Sequence, residues 1–351
     1  MESPGATSRP GATVGGCPLN TVDSPADRAG RPGRRSRLRQ SGAWLAALVL
    51  LATSGVVGCR AAGVDAVTPV PQVLAFLPWL LVPAGVALLL AGLARWRTGL
   101  VWALLLLGAL GWWLRPYGPG PGGGDGPVIA TVKVMTANLQ FGRATPGLFA
   151  AVRREKPDLV YVEECSFVCA DALRTGLPRS VYPYRVVVRK AGSKGSAILS
   201  VFPLRSAPAV AGTMAMPGAT ARIHGVPVRV QLAHPMPPLP RQVGLWKREL
   251  GRVRSFAAAG RAPTILAGDF NASQDHAAFR RILEDGHLHD SARLAGHYRT
   301  PSWPAGAWPA GPQIDHVLVS GGFTVASARF FPLRGSDHRG LVVRLGMHAG
   351  T

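Results

Sequence analysis

Three stretches of the chain, residues 41–59, 66–94 and 98–114, contain no charged side chain. A segment needs about 20 mostly apolar residues to cross a bilayer, or ~17 at the short end. All three runs qualify, the third barely. Helices buried in a soluble domain would be shorter and would keep a polar face, so that reading fits poorly. Residues 41–114 are therefore expected to form three transmembrane helices. Trp112, Trp113 and Tyr117 fall where an interfacial aromatic belt would sit. Pro78 and Pro83 lie inside the second run, and spans tolerate such breaks. A cleaved signal peptide competes for the first run, and Val56-Val57-Gly58-Cys59 is similar to a loose lipoprotein cleavage box. Two further runs follow, so cleavage would still leave a membrane protein.

Arginine placement orients these runs. Residues 1–40 are polar, rich in Gly, Pro and Ser, and end in Arg28, Arg31, Arg34, Arg35, Arg37 and Arg39. Such a segment cannot bury a core and is expected to be a disordered basic tail, retained in the cytoplasm. The corner Arg95-Trp96-Arg97 is basic as well. Three spans from an inside N-terminus put both basic segments inside and everything after Leu114 outside. The expectation is a multi-pass cell-membrane protein with an extracytoplasmic domain, joined by a flexible Pro/Gly linker over 115–127. The whole chain carries 39 Lys+Arg against 18 Asp+Glu, a net charge of +21. That excess either serves an anionic partner (nucleic acid, anionic lipid or polyphosphate) or reflects a GC-rich coding composition, since the basic residues are nearly all Arg. Four cysteines exclude a disulfide scaffold.

Residues 128–346 follow a different pattern, with 347–351 left as a short tail. Short β-branched runs end in polar residues. The run 128–135 leads into Thr136-Ala137-Asn138, 158–162 into Glu163-Glu164, 226–232 into Ala233-His234, and 264–267 into Gly268-Asp269-Phe270-Asn271. Gln313-Ile314-Asp315-His316 opens the run 317–320, and Ser336-Asp337-His338 precedes 341–345. Helical patterns lie between, at 146–156, 242–259 and 276–284. Strands alternating with helices define an α/β fold class. Carboxylates and imidazoles at strand ends suggest a site along one sheet edge. Singly, each cluster has a plain reading. Gly-Asp-Phe-Asn makes a good turn, and a lone Glu164 or His234 is ordinarily a solvated or satisfied polar residue.

Taken together, Asn138, Glu164, His234, Asp269, Asn271, Asp315, Asp337 and His338 occur in an order that resembles the endonuclease/exonuclease/phosphatase superfamily. The resemblance covers about 128–345. Gly-Asp-Phe-Asn and Ser-Asp-His are its most specific motifs. Residues 157–164, Pro-Asp-Leu-Val-Tyr-Val-Glu-Glu, match a family segment ending in Gln-Glu; Glu163 stands in place of the Gln, so Glu164 inherits the metal role. Residues 195–204 resemble another family segment. The implied fold is a four-layer α/β sandwich (DNase I-like), with two mixed sheets between helices. Abasic-site nucleases carry Tyr where this chain has His234, whereas the DNase, sphingomyelinase and inositol-phosphatase branches carry His.

The residue chemistry suits phosphoester hydrolysis. Hard oxygen donors suit Mg²⁺ (or Mn²⁺), with Glu164 the main ligand, helped by Asn138 and Asp337. Asp269 is expected to take the proton of an attacking water, and Asn271, two residues on, to orient the nucleophile or a phosphate oxygen. His338 is expected to donate to a phosphoryl oxygen as charge builds, with Asp315 fixing its tautomer. His234 would supply a second donor or assist the leaving oxygen. Cys165 and Cys169 lack the further ligands a zinc site needs. A disulfide outside the cytoplasm and two thiols both remain open. His297, Trp303 and Trp308 lie in a Pro-rich loop before Asp315, either shaping a pocket or packing on the surface.

Three spans followed by such a domain further resemble bacterial teicoplanin-resistance membrane proteins of the VanJ type. That resemblance implies hydrolysis of a phosphate or pyrophosphate on a cell-envelope lipid, hence a role in glycopeptide resistance. An extracytoplasmic nuclease acting on DNA or RNA is the alternative. A third is an anion-binding pseudoenzyme, against which the intact set of eight residues argues.

Overall fold

The computed structural model describes residues 34–115, 126–307 and 309–349. The tail before Arg34, most of the expected linker, and Trp308 lie outside the described residues. Helix α1 runs Arg34–Ala62, so residues 34–40 are helical rather than part of a disordered tail. Arg, Leu and Gln there are good helix formers, and the long apolar segment that follows supplies the nucleus they extend. The second uncharged run is not one helix. It divides into α2 (Val70–Leu74), a 3₁₀ turn (Leu77–Leu80) and α3 (Leu81–Ala94). Pro71 and Pro78 each occupy the first turn of a short piece; proline has no N–H to continue a preceding helix but suits the start of a new one. Helix α4 covers Arg97–Trp113. By length and composition two segments, Arg35–Ala62 and Leu77–Ala94, could cross a membrane, and Arg97–Trp113 is a shorter apolar helix.

Helices α1, α3 and α4 pack as an up-down-up bundle whose polarity is inverted relative to a soluble one. Ala84, Ala87, Ala91 and Ala103 are buried between helices, while Leu48, Leu51, Leu89, Leu93, Leu104, Leu105 and Trp112 face outward. Small residues inside let apolar backbones approach closely, and large apolar residues outside suit an apolar surround. One end carries the basic residues, at the start of α1 and at the α3–α4 corner; a Cβ at Gly42 would lie 3.9 Å from Ala94 Cβ there. The other end meets the α/β domain.

That meeting is a buried polar network. The Ala278 amide donates to Asp65 Oδ2 (2.7 Å), and Arg299 holds Asp275 with two bonds (2.7 and 3.0 Å) while also donating to the Trp113 carbonyl (3.1 Å). Arg60 Nε lies 3.5 Å from Asp275 Oδ1. His276 accepts from the Ser273 amide at Nδ1 and so donates from Nε2 to the Pro71 carbonyl (2.7 Å). Trp79 Nε1 donates to Ala310 O (2.8 Å), and Gln72 donates to Pro238 O. The domain is thus seated on the bundle directly, in addition to being joined to it by the chain.

The α/β domain has two six-stranded sheets. One has the order β11 (Phe323–Pro332), β12 (Arg339–His348), β1 (Val128–Asn138), β2 (Leu159–Glu163), β4 (Ser196–Ser200), β3 (Tyr184–Val188), and the other β5 (Leu204–Val210), β6 (Met216–Ile223), β7 (Val226–Ala233), β8 (Thr264–Asp269), β10 (Asp315–Ser320), β9 (Leu288–Asp290). The strands that matter for the site are β1, β2, β7, β8, β10 and β12. Helices α5 (Thr145–Glu155) and α6 (Phe167–Gly176) cover the outer face of the first sheet, and α7 (Val243–Ala258) and α8 (Ala277–Gly286) that of the second. This is the four-layer arrangement expected. Cys165 and Cys169 form a disulfide at the start of α6.

Side chains alternate along each strand, and the alternation locates the site. Val132 and Val134 of β1, Leu159 and Tyr161 of β2, Val228, Val230 and Leu232 of β7, Ile265 and Ala267 of β8, and Val317 and Val319 of β10 all enter the core between the sheets. Successive strand residues point to opposite faces. Continuing each inward row by two residues gives Glu163, His234, Asp269 and, at the start of β10, Asp315; on β1 the row passes through the buried Thr136 to Asn138. Five polar residues therefore converge where the hydrophobic core ends.

Candidate active site

Asp269 is the centre of this convergence. It faces Asp315 in the antiparallel β8–β10 register. Asn138 Nδ2 donates to its Oδ2 (3.1 Å) and the Asn271 amide to its Oδ1 (2.8 Å). His338 Nε2 lies 3.8 Å and His234 Nε2 3.9 Å from Asp269 Oδ2. The second nitrogen of His338 is hydrogen-bonded to Asp315 Oδ2 at 2.9 Å. Asp269, Asp315 and His338 present ligand-type atoms all within 4.8 Å of one another.

Two imidazoles in one buried site are driven in opposite directions. Burial disfavours charge on His338, but Asp315 and Asp269 beside it prevail and lift its pKa to about 10. Burial and the neighbouring charge of His338 push His234 down to about 3, against the attraction of Asp315. At neutral pH the site holds one imidazolium and one neutral imidazole. His338 Nδ1 is committed to Asp315, while Nε2 lies near Asp269 without a hydrogen bond and remains free to donate to a ligand. Burial raises the pKa of Asp269, and Asp315 adds to this, while His338 opposes.

Glu164 follows β2 in a left-handed conformation, φ 54°. Without that turn it would point away from the inward row. With it, Oε1 lies 3.4 Å from Asn138 Nδ2 and 4.0 Å from His234 Nε2, and Oε2 accepts the Phe141 amide at 2.7 Å. Glu163 instead points inward and is fully buried, accepting from Thr136 Oγ1 (2.9 Å). Burial, together with the charge of Asp315, raises its pKa well above the carboxylate range. A neutral acid there is the nearest ionisable substitute for an amide.

Two expectations change. Asn271 does not share a strand face with Asp269, because β8 ends at Asp269 and Phe270 is buried. Asn271 adopts φ 47° and gives its Nδ2 to the Pro235 carbonyl (3.0 Å), tying down the loop after His234. Asp337 is half-buried and accepts from Trp303 Nε1 (3.2 Å); it is not among the group around Asp269. Its neighbour Ser336 bridges the Asn138 carbonyl (2.7 Å) and the His338 amide (2.9 Å), joining β1 to β12. Ser302 carried no sequence signal, yet its Oγ accepts the amides of Ile314 and Asp315 and sets the start of β10. The loop containing Trp303 lies against the site, with the indole 6.5 Å from the His338 ring.

The donor set fits a hard divalent cation. Glu164 is the carboxylate whose side chain keeps partial exposure (16%) beside the buried Asp269 (2%); Asn138 donates its Nδ2 to both while its Oδ1 accepts the Gln140 amide (3.0 Å). Oxygen donors of this kind suit such a cation, which when bound would neutralise charge on phosphoryl oxygens.

The structure is similar in fold to several solved proteins. A humanized D. rerio TDP2 aligns at 14% identity and TM-score 0.52, over 62% of this chain and 99% of that one. The human Nocturnin catalytic domain with bound sulfate aligns at 17% identity and TM-score 0.51, over 62% and 93%. An endonuclease/exonuclease/phosphatase from Beutenbergia cavernae aligns at 18% identity and TM-score 0.50, over 62% and 72%. No curated protein sequence matches the chain. The profile of the Endonuclease/Exonuclease/phosphatase family matches residues 135–338, which span every residue of the site from Asn138 to His338. The chain belongs to that family and is a metal-dependent phosphoric ester hydrolase.

Proposed function

We propose that the chain is a membrane-anchored phosphoesterase using Mg²⁺ or Mn²⁺, with its α/β domain outside the cytoplasm. Its substrate is a phosphate or pyrophosphate of a cell-envelope lipid, as in the VanJ-type glycopeptide-resistance proteins it resembles. The observation that carries this reading is the seating of an apolar, outward-greasy bundle against the loops that flank the active site. Loop 297–313 touches both: Arg299 and the Ala310 carbonyl bond the bundle, and Trp303 bonds Asp337. A headgroup rising from a bilayer around the helices would meet the site across that loop. Three spans with the basic end inside account for the placement of Arg35, Arg37, Arg39, Arg95 and Arg97 at the bundle end away from the domain. The disulfide Cys165–Cys169 suits an oxidising compartment.

In this reading Glu164, with Asn138 beside it, would hold the cation. Asp269 orients the attacking water and accepts its proton. His338, kept charged by Asp315, stabilises negative charge on the phosphoryl oxygens, and neutral His234 serves the leaving oxygen. Asn271 orients Asp269 through its backbone amide. The experiment is a substrate panel on the full chain in detergent with Mg²⁺: polyprenyl pyrophosphate, phospholipids, and single- and double-stranded DNA. Phosphate release from the lipid pyrophosphate is expected. Cleavage of DNA with the lipids untouched would overturn it in favour of an extracytoplasmic nuclease. That alternative draws on the basic charge and on a similar structure, a D. rerio TDP2 complexed with single-strand DNA product. A reporter active only outside the cytoplasm, fused after Thr351, tests the topology; silence there would sink it.

A further inference from the structure

Helix α6 and strand β3 (Tyr184–Val188), the outer strand of the first sheet, frame a cavity of about 490 Å³ away from the metal and imidazole groups. Its lining includes four arginines, Arg174, Arg179, Arg185 and Arg189, with Leu173 and Val187. Arg174 and Arg189 share a single carboxylate, Asp171, at 2.9 and 2.5 Å. Among the described residues Arg179 and Arg185 bond carbonyls only. Arg179 donates to Pro183 O (2.8 Å), and Arg185 to the carbonyls of Leu173, Leu177 and Tyr182 (3.3, 2.9 and 2.8 Å). Arg185 Nε is buried with no partner.

This is an uncompensated arrangement. Three carbonyls clamp the half-buried Arg185 guanidinium in place, so its position is set before any ligand arrives. Burial, and then the like charge of Arg179, disfavour its protonated form, and no carboxylate answers either group. The carbonyls take both Nη2 hydrogens of Arg185, so it contributes a fixed positive charge, while the exposed Arg179 and Arg189 guanidiniums supply the donors that phosphate oxygens can accept. Beside the cavity, at the start of α6, Phe167 and Val168 are exposed, with the Arg189 guanidinium 5.9 Å from the Phe167 ring. Cationic forks next to exposed apolar side chains suit a ligand with an anionic head and an apolar neighbour.

We propose that this cavity is a second, non-catalytic binding site for a phosphate-bearing anion, separate from the hydrolytic centre. A phospholipid headgroup and free phosphate share that chemistry. The test uses the full chain in neutral detergent with a chelator present, which removes cation-dependent binding at the catalytic site. Titration calorimetry follows three probes: inorganic phosphate, short-chain phosphatidylglycerol and, as control, short-chain phosphatidylcholine. The wild type should bind phosphatidylglycerol, inorganic phosphate, or both, and phosphatidylcholine at least tenfold more weakly. Preference for phosphatidylglycerol assigns a lipid source, and binding of inorganic phosphate alone a soluble one. Arg179→Ala with Arg189→Ala should weaken binding at least tenfold while leaving metal-dependent hydrolysis of a soluble aryl phosphodiester unchanged. Arg179→Gln alone, at an exposed side chain, repeats the test if the double variant folds poorly. Absence of binding by both anionic probes, or binding equal in wild type and variants, overturns the proposal.

Discussion

The charge state of His338 sets how the site can stabilise negative charge, and Asp315→Asn tests it. The Nδ1–Oδ2 contact is 2.9 Å and both groups are buried. Raising an imidazole from its ordinary 6.5 to about 10 corresponds to on the order of 5 kcal/mol in favour of the charged form. Asp315 is the largest favourable partner in that balance. Removing one member of a buried charge pair costs about 3–5 kcal/mol, so the variant should lose about 2–4 pH units of His338 basicity. Asparagine can also turn an N–H toward the ring and favour the wrong tautomer. In the wild type, kcat dependent on the imidazolium should fall only as pH rises through about 10. In the variant that alkaline limb should move into the neutral range, and kcat at pH 7 should drop by ~10²–10³, as for loss of a preorganised donor. The assay is kcat against pH on a chromogenic phosphodiester at saturating divalent cation, with near-UV circular dichroism confirming the folded fraction. Asp315→Asn with His338→Ala should be little worse than His338→Ala alone, because the two act as one unit. An alkaline limb that stays in place in folded Asp315→Asn, or losses that multiply in the double variant, would refute the pairing.

The adjacent acids should separate cleanly: Glu164→Gln should raise the half-saturating Mg²⁺ concentration at least tenfold, whereas Glu163→Gln, at a position bonded to Thr136 and turned inward, should change it less than threefold; equal effects would mean the two roles are misassigned. His234 is held neutral, its folded pKa of about 3 lying below the unfolded 6.5, so the stability it contributes is present above pH 6.5 and is lost as pH falls from there toward 3. His234→Gln should flatten the decline of Tm between pH 7 and 4, and an unchanged slope would count against the assignment. Asp275→Ala leaves Arg299 and Arg60 facing each other without a carboxylate and should destabilise the seating of the domain by about 3–5 kcal/mol. Limited proteolysis at the bundle–domain junction reads this directly, and wild-type resistance in the variant would show that the network is not what holds the two together.

Much of the site was legible because strand periodicity is local. A polar residue that closes an apolar strand run must sit where the core ends, and that placed Asn138, His234, Asp269 and Asp315 at one sheet edge without any knowledge of sheet order. The apolar runs were equally legible, since the absence of charge is itself the signal. What periodicity could not supply were single-residue backbone turns. Glu164 and Asn271 both take positive φ, which rotates each side chain off the face that two-residue spacing predicts; one thereby joins Asn138 and the other leaves to hold Pro235. The break in the second apolar run at Pro78 was visible as a proline, but its consequence was not. Whether a proline kinks a span or ends it depends on what the preceding segment can pack against, here His276 and the loop at Pro238.

The amino-acid sequence alone determined the α/β class, the membrane-compatible first third and the identities of the polar groups at the sheet edge. Only the tertiary structure decided which of those groups meet. The pairing of Asp315 with Asp269 follows from β8–β10 register, and the opposed states of His338 and His234 follow from distances between side chains on different strands. Electrostatic energy depends on separation and burial in space, neither of which a linear spacing encodes. The seating of the domain on the bundle through Asp65, Asp275 and Arg299 has the same character. Each of these residues reads as an ordinary surface charge until the fold buries it against a partner far away in the chain.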